Sequence, residues 1–135
     1  MLSLLNAIYA KFTGDSALTS AFPGGLHRDR AAEGAAMPYL VSHVISSKTE
    51  FAYGGASRTE TQIRFSAYGV GHDATGAAMQ TLIGEFDFAL LTLAGGAVND
   101  TVVRLTDPVP KLHQHDANGN DVWEWTVVYE YGVTV

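Results

Sequence analysis

Val122-Trp123-Glu124-Trp125-Thr126-Val127-Val128-Tyr129-Glu130-Tyr131 decides the fold of this chain. Trp123, Trp125, Val127, Tyr129 and Tyr131 fall on one parity; Val122, Glu124, Thr126, Val128 and Glu130 fall on the other. Side chains on a strand alternate between faces, so this run predicts one long strand with an aromatic side. Asn118-Gly119 stands just before it and is the strongest short-range turn signal in the sequence.

Working back from that strand, Val98 to Val109 predicts its hairpin partner, closed by Pro108 and Pro110. A helix is expected from about Asp73 to Leu93, with Asp73 as cap. Met79, Leu82, Ile83, Phe86 and Leu90 repeat along it at helical spacing. Gly84 inside that helix costs about 1 kcal/mol relative to Ala, which a close sheet or neighbouring subunit would explain. Gly95-Gly96 is the expected stop.

The first half reads the same way. Leu5, Ile8, Tyr9 and Phe12 give a helix from about Leu2 to Phe12 one apolar face, and Gly14 ends it. Asp15 can cap a short second turn through Ala17, Leu18 and Phe22. A short strand is expected at Leu26 to Asp29. Met37-Pro38 demands extended backbone before the proline, and the next strand follows from Tyr39 to Ser46. Arg58 to Tyr68 alternates again and forms a hairpin with it. The arm between them, Ser47 to Ser57, is polar but carries Phe51 and Tyr53.

These elements predict an α+β domain over residues 1–135: a mainly antiparallel sheet of four to five strands, two helices on one face, order α-β-β-β-α-β-β.

Composition narrows function. Of the 135 residues, 47% are hydrophobic and only 16% charged, which is few for a fully solvated surface and suggests partner-covered flanks. The net charge of −6 comes without any Lys/Arg run, so the footprint of a duplex-binding protein is missing. The chain has no cysteine, which excludes disulfides and thiolate chemistry. No apolar run approaches the ~20 residues of a membrane span. The start reads as a helix rather than a signal peptide. A soluble product made in a cytoplasm is expected.

His113-Gln114-His115-Asp116 is the one cluster with the look of metal ligands. On a regular strand, His113 and His115 would point the same way, about 7 Å apart. An exposed hairpin end after Pro110 explains them without a metal, and none is assigned. Asp116 to Asp121 fails the calcium-loop pattern, since Asp121 stands where glycine belongs and Val127 where glutamate belongs. Gly69-Val70-Gly71 and Gly54-Gly55 match no phosphate-binding loop. His27, His43 and His72 are scattered, and no nucleophile elbow accompanies them. Glu124 and Glu130 would lie ~20 Å apart, too far for a carboxylate pair acting on one bond. No active site and no cofactor are expected. Among the aromatics, core packing is the favoured role and a subunit interface the other.

Several stretches, in order, carry a resemblance. They are Thr13-Gly14-Asp15-Ser16-Ala17-Leu18, then Gly24-Gly25-Leu26-His27, Ala36-Met37-Pro38-Tyr39-Leu40-Val41 and Phe65-Ser66-Ala67-Tyr68. A long helix follows, and then Asp116-Ala117-Asn118-Gly119 leading into Val122-Trp123-Glu124-Trp125. The layout resembles the tail-completion or tail-terminator family of long-tailed, siphovirus-like phages and phage-derived particles, over nearly the whole chain. The arm Phe51-Ala52-Tyr53-Gly54-Gly55 falls outside the match.

The resemblance implies a non-enzymatic virion protein, made in a bacterial host cytoplasm and placed at the head-proximal end of the tail. It implies a homo-oligomer, a hexameric ring that caps the tail tube protein and joins it to the head connector or stopper. DNA would pass through the lumen without specific binding. Exposure arguments pick Phe51, Tyr53, Arg58, His113 and His115 as subunit or partner contacts. The rival readings are another neck or tail-tube subunit, and a small metal- or ligand-binding domain using His113 and His115.

Overall fold

The computed structural model describes residues 1–52 and 54–135; Tyr53, one of the expected contacts, lies outside the described residues. The chain forms helix α1 (Leu2–Thr13), helix α2 (Ser16–Ala21), strand β1 (Leu26–Arg28), strand β2 (Tyr39–Phe51) and strand β3 (Ser57–Val70). Helix α3 (His72–Phe86) follows, then β4 (Val98–Arg104), β5 (Val109–His115) and β6 (Asp121–Thr134). Six strands make one sheet in the order β1-β2-β3-β6-β4, with β5 also on β6.

The terminal strand is the hub. β3 pairs antiparallel with it from Arg58↔Thr134 to Val70↔Val122. On its other edge β4 takes the C-terminal half and β5 the N-terminal half. The alternation holds: Val127, Tyr129 and Tyr131 are fully buried on the inner face beside Ile63, Phe65 and Leu40. Leu4, Ile8 and Phe12 of α1, Leu18 of α2, and Met79, Leu82 and Phe86 of α3 close the same core from above. The three helices thus cover one face, and among the described residues no helix lies on the other face of the sheet.

Asp15 caps α2 as its position suggests, accepting from the N–H groups of Ala17 (2.9 Å) and Leu18 (3.2 Å). The strand from Tyr39 begins with burial on both faces, at Leu40, Val41 and Ser42.

Several expectations change. The sheet has six strands, not four to five, and is mixed, because β1 runs parallel to β2 with Leu26 opposite Leu40. Three helices stand where two were expected, since the capped turn after Asp15 continues to Ala21. The strand from Val98 does not run to Val109. It breaks after Arg104, where Leu105 N–H donates to the Val128 carbonyl and the Thr106 hydroxyl accepts from Val128 N–H. Pairing then resumes at Val109 and carries His113 and His115 in a strand instead of leaving them at a hairpin tip. Helix α3 stops at Phe86, not Leu93, and its cap position is Gly71 rather than Asp73. The Asp87 side chain is drawn to Tyr129 and Arg104, and Phe88 turns to a φ of 58°. Leu90 is consequently exposed instead of lying on a buried stripe.

The glycine argument moves one turn along α3. Nothing lies within 4 Å of a Cβ placed on Gly84, so nothing within the chain requires that glycine. A Cβ on Gly76 would stand 2.9 Å from the Trp125 ring, which packs against the helix there.

Candidate functional site

The expected contact residues fall into two groups at opposite ends of the sheet. Phe51 and Arg58 sit where the β2–β3 arm meets the end of β6, beside an open groove of about 300 Å³. His113 packs its ring on Tyr68, with centroids 5.0 Å apart. Arg58 and Tyr68 stand ten positions apart on β3, about 33 Å along the strand.

Phe51 is 82% exposed at the last position of β2. Arg58 is not free. Its guanidinium crosses β6 above Gly132, donates to Asp100 on β4 and reaches the Thr101 hydroxyl at 3.0 Å. Only a residue without a side chain at 132 leaves room for that crossing. The Arg58 bonds, then the Thr134 hydroxyl, hold the Asp100 carboxyl below its ordinary range. The extra residue Asp100 sits at a break in register between Asn99 and Thr101, which turns its carboxylate toward the arginine.

His113 occupies a similar break between Leu112 and Gln114. The period of two therefore fails between the two histidines. His113 faces Glu124 at 3.8 Å, while His115 pairs with Asp121 at 2.8 Å. Each of the other histidines also has a polar partner of its own: His27 the Gly24 carbonyl, His43 Asp29, His72 Asp73. Among the described residues no group of three or more His, Asp or Glu side chains is gathered at one point.

Three features escaped the sequence reading. On the helix-free face, Tyr39 stacks on Tyr68 at 5.2 Å, with His27 edge-on to Tyr39, so an aromatic row runs from His27 to His113 across the sheet. Burial, reinforced by Glu124, pushes the Tyr68 phenol up to about 12. The row depends on register, which brings Tyr39, Tyr68 and Glu124 side by side.

At the β4 end, Tyr129 donates to Asp87 at 2.6 Å, Asp87 holds Arg104 at 3.2 Å, and Arg104 also holds Asp107 at 2.8 Å. Burial and the Asp87 carboxylate together drive the Tyr129 phenol far above its usual range. Asp87, Arg104 and Asp107 of this network line an open cleft of about 330 Å³ together with Phe88 and Leu105. Its one guanidinium is neutralised within the chain, and it holds no nucleophile–base pair.

The third feature is Asn99, 3% exposed. Its side chain accepts from Leu91 N–H (2.8 Å) and donates to the Thr101 and Gly132 carbonyls. It pins the segment after α3 to the sheet. Phe88, 90% exposed, stands between the anchors at Asp87 and Leu91 with Leu90, Val103 and Leu105 around it. Exposed apolar side chains thus stand beside charges, Arg58 and Arg104 among them, that are already matched within the chain.

The architecture is that of a small α+β domain with a helix-covered mixed sheet and a long hairpin arm. No family model matches the chain, and no curated protein matches its sequence. Among solved structures, a chain described as "Virion of native gene transfer agent (GTA) particle" superposes with a TM-score of 0.72 at 14% identity. The match covers 98% of this chain and 96% of that one, so the two share a fold from end to end. No helix here is long and apolar enough to cross a membrane.

Proposed function

We propose that this protein is a structural component of a phage-derived particle, a ring-forming tail terminator that caps the tail tube and joins it to the head connector. The observation that carries this reading is the end-to-end fold likeness to a chain from a gene transfer agent virion. The order of motifs in the sequence supports it independently. So does the surface: Phe51, Phe88, Leu90 and Val98 are each more than half exposed, as expected of flanks that copies or partners cover. The hexameric ring, the head-proximal position and the contacts to tube and connector are parts of the same proposal. Phe51, Arg58, His113 and His115 remain proposed contacts, Arg58 through the clamp that shapes the arm rather than as a free cation.

Mass measurement of the purified protein, followed by electron microscopy with isolated tail tubes, tests the reading. A terminator forms a closed ring, adds once to a tube end and does not stack on itself. A protein that polymerises into tubes is a tube subunit instead. One that stays monomeric and leaves tube ends bare is neither.

A further inference from the structure

Most of β2 lies at a free edge of the sheet. β1 covers only Leu40 to Ser42, which leaves the far half of β2, on to Phe51, bonded to β3 alone. Ala52 N–H donates to the Ala56 carbonyl. Counting back by the alternation of antiparallel bonds, Ser47, Thr49 and Phe51 turn their own N–H and C=O groups outward. Lys48 and Glu50 lie between them on the other face, 3.1 Å apart.

We propose that this edge pairs with the same edge of a second copy, antiparallel, about a two-fold axis at Thr49. Self-pairing puts equal residues at equal distances from the axis. With Thr49 on the axis, Lys48 stands directly opposite Glu50 of the second copy, and Glu50 opposite its Lys48. Both charges are matched at once. Ser47 and Phe51 exchange backbone bonds, and the 82%-exposed Phe51 ring is laid against the opposing strand. The hydroxyl pair Thr49–Thr59, at 2.9 Å, continues across the axis into its mate. A lysine on an open edge normally discourages strand addition. Here it selects the one partner that brings a glutamate to meet it. A two-fold contact cannot close a six-membered ring, whose contacts run head to tail, so this pairing joins two free subunits; it goes beyond the ring reading and does not rest on it.

The chain has no cysteine, so single cysteines report the axis cleanly. Facing residues in a bonded antiparallel pair have Cα atoms about 5.5 Å apart, within disulfide range. Residue 47 and its own mate would lie about 13 Å apart. Under mild oxidation Thr49→Cys is expected to give a covalent dimer at least about tenfold faster than Ser47→Cys or Phe51→Cys alone. The Ser47→Cys/Phe51→Cys double variant should cross-link like Thr49→Cys. Lys48→Glu added to Thr49→Cys should slow the dimer about tenfold, because two like-charge pairs then face each other. Equal rates for the three single cysteines, or no effect of Lys48→Glu, would overturn the proposal. An unchanged melting midpoint of reduced Thr49→Cys shows that the subunit is intact.

Discussion

Tyr129 and Tyr131 are neighbours on one face of one strand, both fully buried, with ring centroids 6.2 Å apart. Only their hydroxyls differ. Tyr129 donates to Asp87 at 2.6 Å, whereas the Tyr131 hydroxyl has no partner among the described residues. Replacing each by phenylalanine keeps the ring and deletes one oxygen. Tyr129→Phe removes a bond to a carboxylate, which contributes about 1.5–3 kcal/mol. Asp87 keeps Arg104 as its partner, so the loss should stay near the lower end of that range. Tyr131→Phe removes a buried hydroxyl whose desolvation nothing offsets. Such a group costs about 1–3 kcal/mol, so this variant should be neutral or more stable by up to about that amount. Urea unfolding of the two variants beside the parent reads the difference as shifted midpoints at constant slope. Opposite or clearly unequal shifts are expected from the same chemical change. Equal losses would refute the reasoning, because they would mean that the Tyr131 hydroxyl is bonded in the folded protein.

Four further outcomes follow from the packing and from the Arg58–Asp100 clamp. Gly84→Ala should stabilise the fold by about 1 kcal/mol, since the added methyl meets nothing within 4 Å. Gly76→Ala should destabilise it instead, because Trp125 is pinned by its bond to the His72 carbonyl (3.1 Å) and cannot easily withdraw; melting curves of the pair decide. Asn99→Ala strands the Leu91 N–H and the Gly132 carbonyl, both buried, and should cost about 2–4 kcal/mol, with faster hydrogen exchange at Leu91 as its local signature. Asp100 has a lowered folded-state pKa, so its contribution is present above the unfolded value and disappears as pH falls through the folded one. The melting gap between the parent and Asp100→Asn should therefore be open at pH 7 and close below about pH 4; a gap independent of pH would contradict the clamp.

The candidate site was legible in outline only. Phe51, an apolar residue at the end of a polar arm, is exposed as its setting in the sequence suggests. Arg58 also drew notice, but its work inside the chain depends on Gly132, seventy-four positions away, and on a break in register at Asp100. Asp87, Arg104 and Tyr129 show no local pattern that marks them as one network, since each belongs to a different element. His113 and His115 looked like a pair because a strand of period two was assumed, and the register break at His113 removes that premise.

By itself the sequence determined the elements whose signal is periodic and local. These are the first helix, the long arm hairpin, and a terminal strand with its aromatic side inward, because burying one face fixes which alternate positions can be apolar. The tertiary structure alone decided where periodicity yields to a distant partner. The length of α3 is set by the pull of Tyr129 and Arg104 on Asp87. The split of the edge strand into β4 and β5 is set by what β6 offers along its length. The parallel seating of β1 is set by the edge that β2 leaves open. In each case the deciding bond joins residues far apart in the chain, and no spacing rule within a single segment can carry that information.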